Sequence, residues 1–168
     1  MADEQNTTRE PTTTGTAAVT DYLDGQGVRY ELLEHESTMT AAAEAAATHR
    51  PPHRVAKTVV LQDRAGYVLA IVPASERLDL HKLREFLGAT ASLRLATEDE
   101  MARDFPAIEV GATPPAGPML PRAEVVDRRL LDEDRIVCPA GDHRHSLLLD
   151  PRDVVKLAGA EVADVCAD

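Results

Sequence analysis

Three stretches of the chain carry groups whose type and spacing could do chemistry. The first is Val55-Ala56-Lys57-Thr58-Val59-Val60-Leu61. Alternate residues of a β-strand share a face, so Val55, Lys57, Val59 and Leu61 point the same way. One ammonium among three branched aliphatics is costly unless it meets an anion or a water-filled pocket. The competing reading is a lysine near a strand end that runs its apolar stem out to solvent. Lysine is otherwise scarce: Lys82 and Lys156 are the only others, and both sit in amphipathic helical patterns where a solvated face suffices. The second stretch is Gly111-Ala112-Thr113-Pro114-Pro115. Glycine permits close backbone approach and the two prolines stiffen the bend, so it can offer N–H groups to an ester carbonyl or a phosphate. An ordinary surface turn is the plain alternative. The third is Gly141-Asp142-His143-Arg144-His145-Ser146, where two histidines and an arginine stand at the start of an apolar strand.

Other reactive types are dispersed. His35 follows a strand-like segment, His49 and His53 flank Pro51-Pro52, and His81 falls on a helix surface. Cys138 precedes His143 by five residues, which raises a Cys/His metal site, but the spacing fits no standard zinc pattern. Cys138 and Cys166 read as small apolar residues and are too few for a disulfide framework. No Gly-x-Ser-x-Gly elbow, P-loop or Gly-x-Gly-x-x-Gly is present, so serine-hydrolase, NTPase and dinucleotide readings lack support.

The elements that must position these groups are short and mixed. Ala17, Ala18, Tyr22 and Leu23 suit a helix closed by Gly25 and Gly27, and Val28 to Leu33 reads as a strand. Thr38 or Thr40 opens an alanine-rich helix that Pro51-Pro52 ends. Val55–Leu61 and Tyr67–Val72 are strands joined by the turn Gln62 to Gly66, a hairpin pattern. Asp79 caps a helix that ends at Gly88, and Thr97 with Glu100 has capping-box spacing. Pro106 to Pro121 is a Gly/Pro-rich loop. Glu124–Val126, Arg135–Cys138 and Ser146–Leu149 are strands, Asp150-Pro151 opens a helix that ends near Gly159, and Glu161 to Val165 is a final edge strand. The implied class is α/β (α+β), a mixed sheet covered by short helices. Residues 1–15 are polar and lack apolar periodicity, so they read as a disordered tail before one domain over 16–168.

Composition limits what the domain can touch. The net charge is −11, with 29 acids against 18 bases, which argues against non-specific coating of nucleic acid. Residues 51–100 hold 7 acids and 7 bases, whereas residues 1–50 hold 9 and 3 and residues 101–168 hold 13 and 8. The middle third is therefore least repulsive to an anion, and any nucleic-acid contact should be local, to one end of a strand. Arg128-Arg129, the nearest phrase to a basic patch, is followed at once by Asp132, Glu133 and Asp134. The longest apolar run, Tyr67–Val72, is far short of the ~20 residues that cross a bilayer. The opening residues lack a basic-then-apolar signal, so the expected compartment is the cytosol.

Taken in order, the Lys57 strand, Val68-Leu69-Ala70-Ile71-Val72-Pro73-Ala74, Leu78-Asp79-Leu80-His81-Lys82-Leu83, the Gly-x-x-x-Pro element Gly111 to Pro115, and Gly141 to Asp153 resemble the YbaK family. This is the family of the prolyl-tRNA synthetase editing domain and its free-standing relatives. The resemblance spans roughly residues 28–165. It implies a barrel-like mixed sheet with short helices, and hydrolysis of mischarged aminoacyl-tRNA without metal or other cofactor. It implies that Lys57 and Gly111 carry the catalysis, and that His35, Ala112, Thr113, Pro114, Pro115, Gly141 and His143 or His145 bind the substrate. The implied partner is the acceptor end of an aminoacyl-tRNA, with a synthetase or elongation factor compensating for the acidic surface. A small side chain such as Ala or Cys, on tRNA for proline, is the implied substrate. Two alternatives stay open: a nucleotide- or aminoacyl-binding sensor on the same scaffold that has lost catalysis, and a Cys/His metalloprotein.

Overall fold

The computed structural model describes residues 15–88, 92–116 and 121–168. The expected tail over residues 1–14, and Gly117 and Pro118 of the Gly/Pro-rich loop, lie outside the described residues. The elements run α1 (Gly15–Gly25), β1 (Glu31–Glu34), α2 (Ala41–Ala47), β2 (Ala56–Asp63), β3 (Gly66–Pro73), α3 (Leu80–Leu87), β4 (Arg94–Leu95), α4 (Glu98–Asp104), β5 (Ala123–Asp127), β6 (Ile136–Pro139), β7 (His145–Leu149), α5 (Pro151–Ala158) and β8 (Glu161–Ala163). Gly15, placed by composition in the tail, instead begins α1, with its N–H on the Ala107 carbonyl.

Helix ends fall where capping chemistry puts them. Asp79 accepts from the His81 and Lys82 N–H groups, Asp150 accepts from the Arg152 N–H ahead of Pro151, and Gly88 and Gly159 close their helices in the left-handed conformation. Thr97 and Glu100 form the reciprocal capping box. Two strands are shorter than the apolar pattern suggests, each because a backbone donor is used elsewhere. Val28 gives its N–H to the Leu23 carbonyl at the exit of α1, and pairing of β1 begins at Glu31. Val165 gives its N–H to the Asp127 carboxylate, and β8 stops at Ala163. The two-residue β4, paired to Leu61 and Gln62, was not legible in the pattern.

The strands form two sheets, ordered β1-β7-β6 and β4-β2-β3-β5-β8. Among the described residues one parallel bridge, between Val55 and Val137, joins them, and no pairing closes β1 onto β8 into a barrel. β3 is the centre of the larger sheet, antiparallel to β2 and parallel to β5. Its apolar run lacks alternation because both of its faces are covered. Leu69 and Ile71 meet the inner faces of β6 and β7 (Ile136, Cys138, Leu147, Leu149) and α1 (Val19, Leu23). Val68, Ala70 and Val72 meet Leu83 of α3 and the C-terminal Val165 and Cys166. Each such buried aliphatic stabilises by about 1.5–3 kcal/mol. A third, smaller cluster, Ala45, Val55, Val137 and Leu148, seats α2 on the three-stranded sheet.

Several charges read as surface are structural. Lys82 reaches the Cys166 carbonyl at 2.7 Å and the Asp168 carboxylate at 3.0 Å, fastening the C-terminal segment to α3. Arg129 pairs with fully buried Asp127 and with Asp164, both at 3.1 Å, so it is not an exposed patch.

Glu124 is a buried acid that lacks full polar satisfaction. It shares the inward face of β5 with Val126, is 6% exposed, and its Oε2 has no hydrogen-bond partner among the described residues. Burial pushes its carboxyl up to about 8. An unfolded glutamate gives up its proton near ~4.3. Between those values the folded state holds more protons, so stability falls as pH rises through about 8 and is flat below the unfolded value. Glu124→Gln should therefore raise the unfolding temperature more at pH ~9 than at pH ~5. Thermal unfolding of both proteins across that range checks it, and a pH-independent difference would contradict the buried acid as its cause.

Candidate active site

The bend at Gly111 and the turn after β6 are laced together by their backbones. The Glu109 N–H donates to the Gly141 carbonyl, and the Gly141 N–H donates to the Ala112 carbonyl. Gly141 has φ +97°, and a Cβ there would lie 2.8 Å from the Gly15 carbonyl oxygen, so only glycine lets α1 approach this turn. Gly111 has φ +91°, and its open side is covered by the His143 ring, whose Cε1 would be 3.2 Å from an added Cβ. The ring is fixed in turn. Its Nε2–H donates to the Val110 carbonyl at 2.8 Å, since a carbonyl can only accept, and the His143 backbone N–H donates to the Glu109 carboxylate at 3.0 Å.

These loops form one side of a cleft of about 80 Å³. The start of β2 supplies Lys57 and Thr58, the first turn of α2 supplies Thr40 and Glu44, and Gly111, Ala112, Asp142, His143 and His145 complete it. Five of the expected residues therefore converge: Lys57, Gly111, Ala112, His143 and His145. Thr113, Pro114 and Pro115 do not line the cleft, but all three are buried, so the bend is packed into the fold and is not a surface turn. Gly141 acts behind the wall, as the contact with α1. His35 also stands behind it: its Nε2 lies 2.8 Å from the Ser146 hydroxyl, which in turn is hydrogen-bonded to Glu44.

The cleft holds cationic and acidic groups that are not paired with one another. Lys57 is half-buried, opposite Val72, and among the described residues its ammonium has no acid or acceptor. The Gly111 N–H likewise has no acceptor among the described residues. The Thr58 hydroxyl is buried without a partner among the described residues. Glu44 is 6% exposed, and burial pushes its carboxyl up to about 7, against the pull of the Ser146 hydroxyl and of His143. Asp142 goes the other way. Burial opposes ionisation, but hydrogen bonds from the Arg144 N–H, His145 and the Thr16 hydroxyl outweigh it and hold the carboxyl below the ordinary range. An ionised Asp142 accepts the His145 Nδ1–H at 3.0 Å, which leaves Nε2 of the neutral ring with a free lone pair.

Glu44, Thr58 and Asp142 were not marked as site residues by sequence. The available signal for Glu44 was its being the one charged residue of an otherwise all-alanine helix, four residues after the Thr40 cap. Among the described residues no group of three or more His, Cys, Asp or Glu side chains could hold a metal ion. Cys138 is fully buried, which pushes its thiol up.

Residues 35–157 match the aminoacyl-tRNA editing domain family. The chain belongs to that family. More particular likenesses agree with this. The proline–tRNA ligase of Fervidobacterium nodosum is 36% identical over 67 residues, which is 40% of this chain and 11% of the ligase. The chain thus spans about a tenth of the length of the ligases it matches. A crystal structure of a candidate trans-editing enzyme for prolyl tRNA synthetase superposes with a TM-score of 0.80 at 26% identity, covering 91% of this chain and 97% of that one. A crystal structure of a hypothetical protein gives a TM-score of 0.80 at 29% identity, covering 88% and 98%. No described helix is long and apolar enough to cross a membrane.

Replacing Gly111 tests how the wall is built. In Gly111→Ala the left-handed backbone costs about 1–2 kcal/mol and the Cβ presses on the His143 ring, so the unfolding temperature should fall by about 2–8 °C. Differential scanning calorimetry gives the answer, and an unchanged midpoint would contradict the packing of His143 on Gly111.

Proposed function

We propose that this protein is an aminoacyl-tRNA deacylase acting in trans, one that removes a small side chain such as Ala or Cys, with tRNA for proline as a substrate. The observation that carries this reading is the convergence of the unpaired Lys57 ammonium and the free Gly111 N–H on one small cleft. An ester on the terminal ribose is already activated, so the enzyme need only position water, stabilise the developing oxyanion and hold the nucleotide. Lys57 meets the terminal phosphate or the aminoacyl group in a charge-assisted contact. Gly111 and Ala112 orient the ester carbonyl. His143 and His145 edge the mouth, Thr113, Pro114, Pro115 and Gly141 hold the bend, and His35 acts from behind the wall.

Size supports a small side chain. The cleft of about 80 Å³ is well under the ~300–1,000 Å³ that houses a drug-sized ligand, so an aminoacyl side chain enters while the adenosine lies across the mouth. One methylene changes such a fit by only ~1–3 kcal/mol, which is why a synthetase benefits from a second sieve. The neighbouring ribose hydroxyl assists the water, a role that asks for no nucleophilic side chain and no metal. The net charge of −11 supports a weak grip on tRNA as a whole, with a synthetase or elongation factor presenting the acceptor end, in the cytoplasm. The editing domain takes in α1 from Gly15 and runs to residue 168.

The test is a deacylation screen over Ala-, Cys-, Ser- and Pro-charged tRNA, with chelator present. Lys57→Ala should slow hydrolysis of the preferred substrate ten-fold or more, since one charged contact is worth about 1.5–3 kcal/mol. Wild-type rates in the variant would remove Lys57 from the mechanism. Retained ligand binding with no turnover on any charged tRNA would instead identify a sensor.

A further inference from the structure

Behind the cleft, three side chains from distant parts of the chain form a hydrogen-bonded line. Glu44 opens to the cleft, Ser146 on β7 is fully buried, and His35 is half-exposed at the end of β1. His35 Nδ1 lies 2.7 Å from the Glu36 carbonyl and Nε2 lies 2.8 Å from the Ser146 hydroxyl, which also contacts the Glu44 carboxyl. A carbonyl only accepts, so Nδ1 carries a proton in both resting states of the line. Two arrangements then satisfy every contact. In one, Glu44 is a neutral acid donating to Ser146, and Ser146 donates to a neutral His35. In the other, Ser146 donates to a Glu44 carboxylate, and an imidazolium Nε2–H donates to Ser146. The two differ only by passage of one proton along the line.

We propose that Glu44, Ser146 and His35 form a proton relay that joins the cleft to the solvent and removes the proton that hydrolysis releases. The role in hydrolysis rests on the deacylase reading. Water oxygen bonds to the ester carbonyl carbon, the bond from that carbon to the ribose oxygen breaks, and the ribose oxygen takes one proton of the water. The free amino acid then ionises at its carboxyl, so one proton per turnover must leave. The Glu44 carboxylate accepts it, Ser146 passes a proton on as it receives one, and His35 gains it at Nε2. The ring releases a proton from Nδ1, whose contact is exposed, and exchange with water restores the starting tautomer.

The surroundings fit a carrier. Glu44 faces Ser146 of β7 and His143 of the turn after β6, with the Cys138 thiol of β6 nearby and Lys57 of β2 lining the same cleft. Neither Lys57 nor any arginine pairs with it among the described residues, so no fixed cation locks it as a carboxylate. Burial raises its carboxyl to about 7, within reach of neutral pH. Among the described residues the His35 ring bonds Ser146 and the Glu36 carbonyl, and its backbone N–H is held by the Arg144 carbonyl.

Two measurements test the relay. The first needs no substrate: NMR titration of the free protein, following the His35 ring nitrogens and the Glu44 carboxyl carbon. In the wild type both should shift over one common pH interval, and in Ser146→Ala over separate ones. Separate intervals in the wild type would overturn the relay whatever the activity. The second is single-turnover deacylation of Ala-charged tRNA for proline in dilute buffer. Ser146→Ala should slow it at least about ten-fold, less than the ~10²–10⁴ of a direct acid or base, because water still reaches the mouth. Added free imidazole should restore most of the rate. An active wild type with an equally active Ser146→Ala, or a deficit that imidazole leaves untouched, overturns the role in hydrolysis. If Ser146→Ala does not fold, His35→Gln, at the exposed end, repeats the deacylation arm, and its Glu44 carboxyl carbon should shift over a different pH interval from the wild type; an unchanged interval would overturn the relay. A common interval in the wild type, with no charged tRNA deacylated, would sink the functional reading and leave the relay standing.

Discussion

The backbone lacing of residues 109–112 to residues 139–143 is the constraint on which the site depends. Two N–H to carbonyl bonds and the Glu109 carboxylate fix one loop against the other. With that geometry set, His143 has one place to lie, across the face of Gly111, and its ring proton has one acceptor, the Val110 carbonyl. Glycine at 141 is what lets the assembly settle onto α1. The two glycines thus serve different ends: one makes room for a helix, the other for an imidazole.

Charge is placed in the cleft by withholding partners. Elsewhere the chain pairs its cations closely, as Arg94 with Glu100 at 2.8 Å or Arg129 with Asp127 and Asp164. Among the described residues Lys57 is left without an acid and Glu44 without a fixed cation, and both border the same small space. An ammonium held ready for an anion and a carboxyl poised between its two states are both unfavourable in an isolated fold, and such arrangements concentrate at functional sites. The rest of the domain offsets the cost through β3, whose aliphatics are covered on both faces.

Local signals were legible and long-range ones were not. Asp79, Thr97, Asp150, Gly88 and Gly159 announce helix ends because a cap acts within a few residues. The unbroken apolar run of β3 announces a doubly covered strand for the same reason. Lys57 stood out because a strand face has a period of two. By contrast, the meeting of Glu44 and Ser146 joins residues 102 positions apart, and nothing in an all-alanine helix reveals which side it turns inward. The same holds for Asp142: its neighbours were visible, but its hold on Thr16, 126 positions away, exists only in three dimensions. The β4 pairing was lost because two residues carry too little pattern to read.

The entry of the chain into the fold has a practical consequence. Gly15 is held at Ala107 and sits beside Asp142, and the next hydroxyl, that of Thr16, grips the carboxylate that orients His145. A fluorophore or fusion partner joined immediately ahead of Gly15 would therefore pull on a histidine of the cleft through two linked hydrogen bonds. Placed there, a reporter would double as a perturbant of the chemistry it was meant to watch.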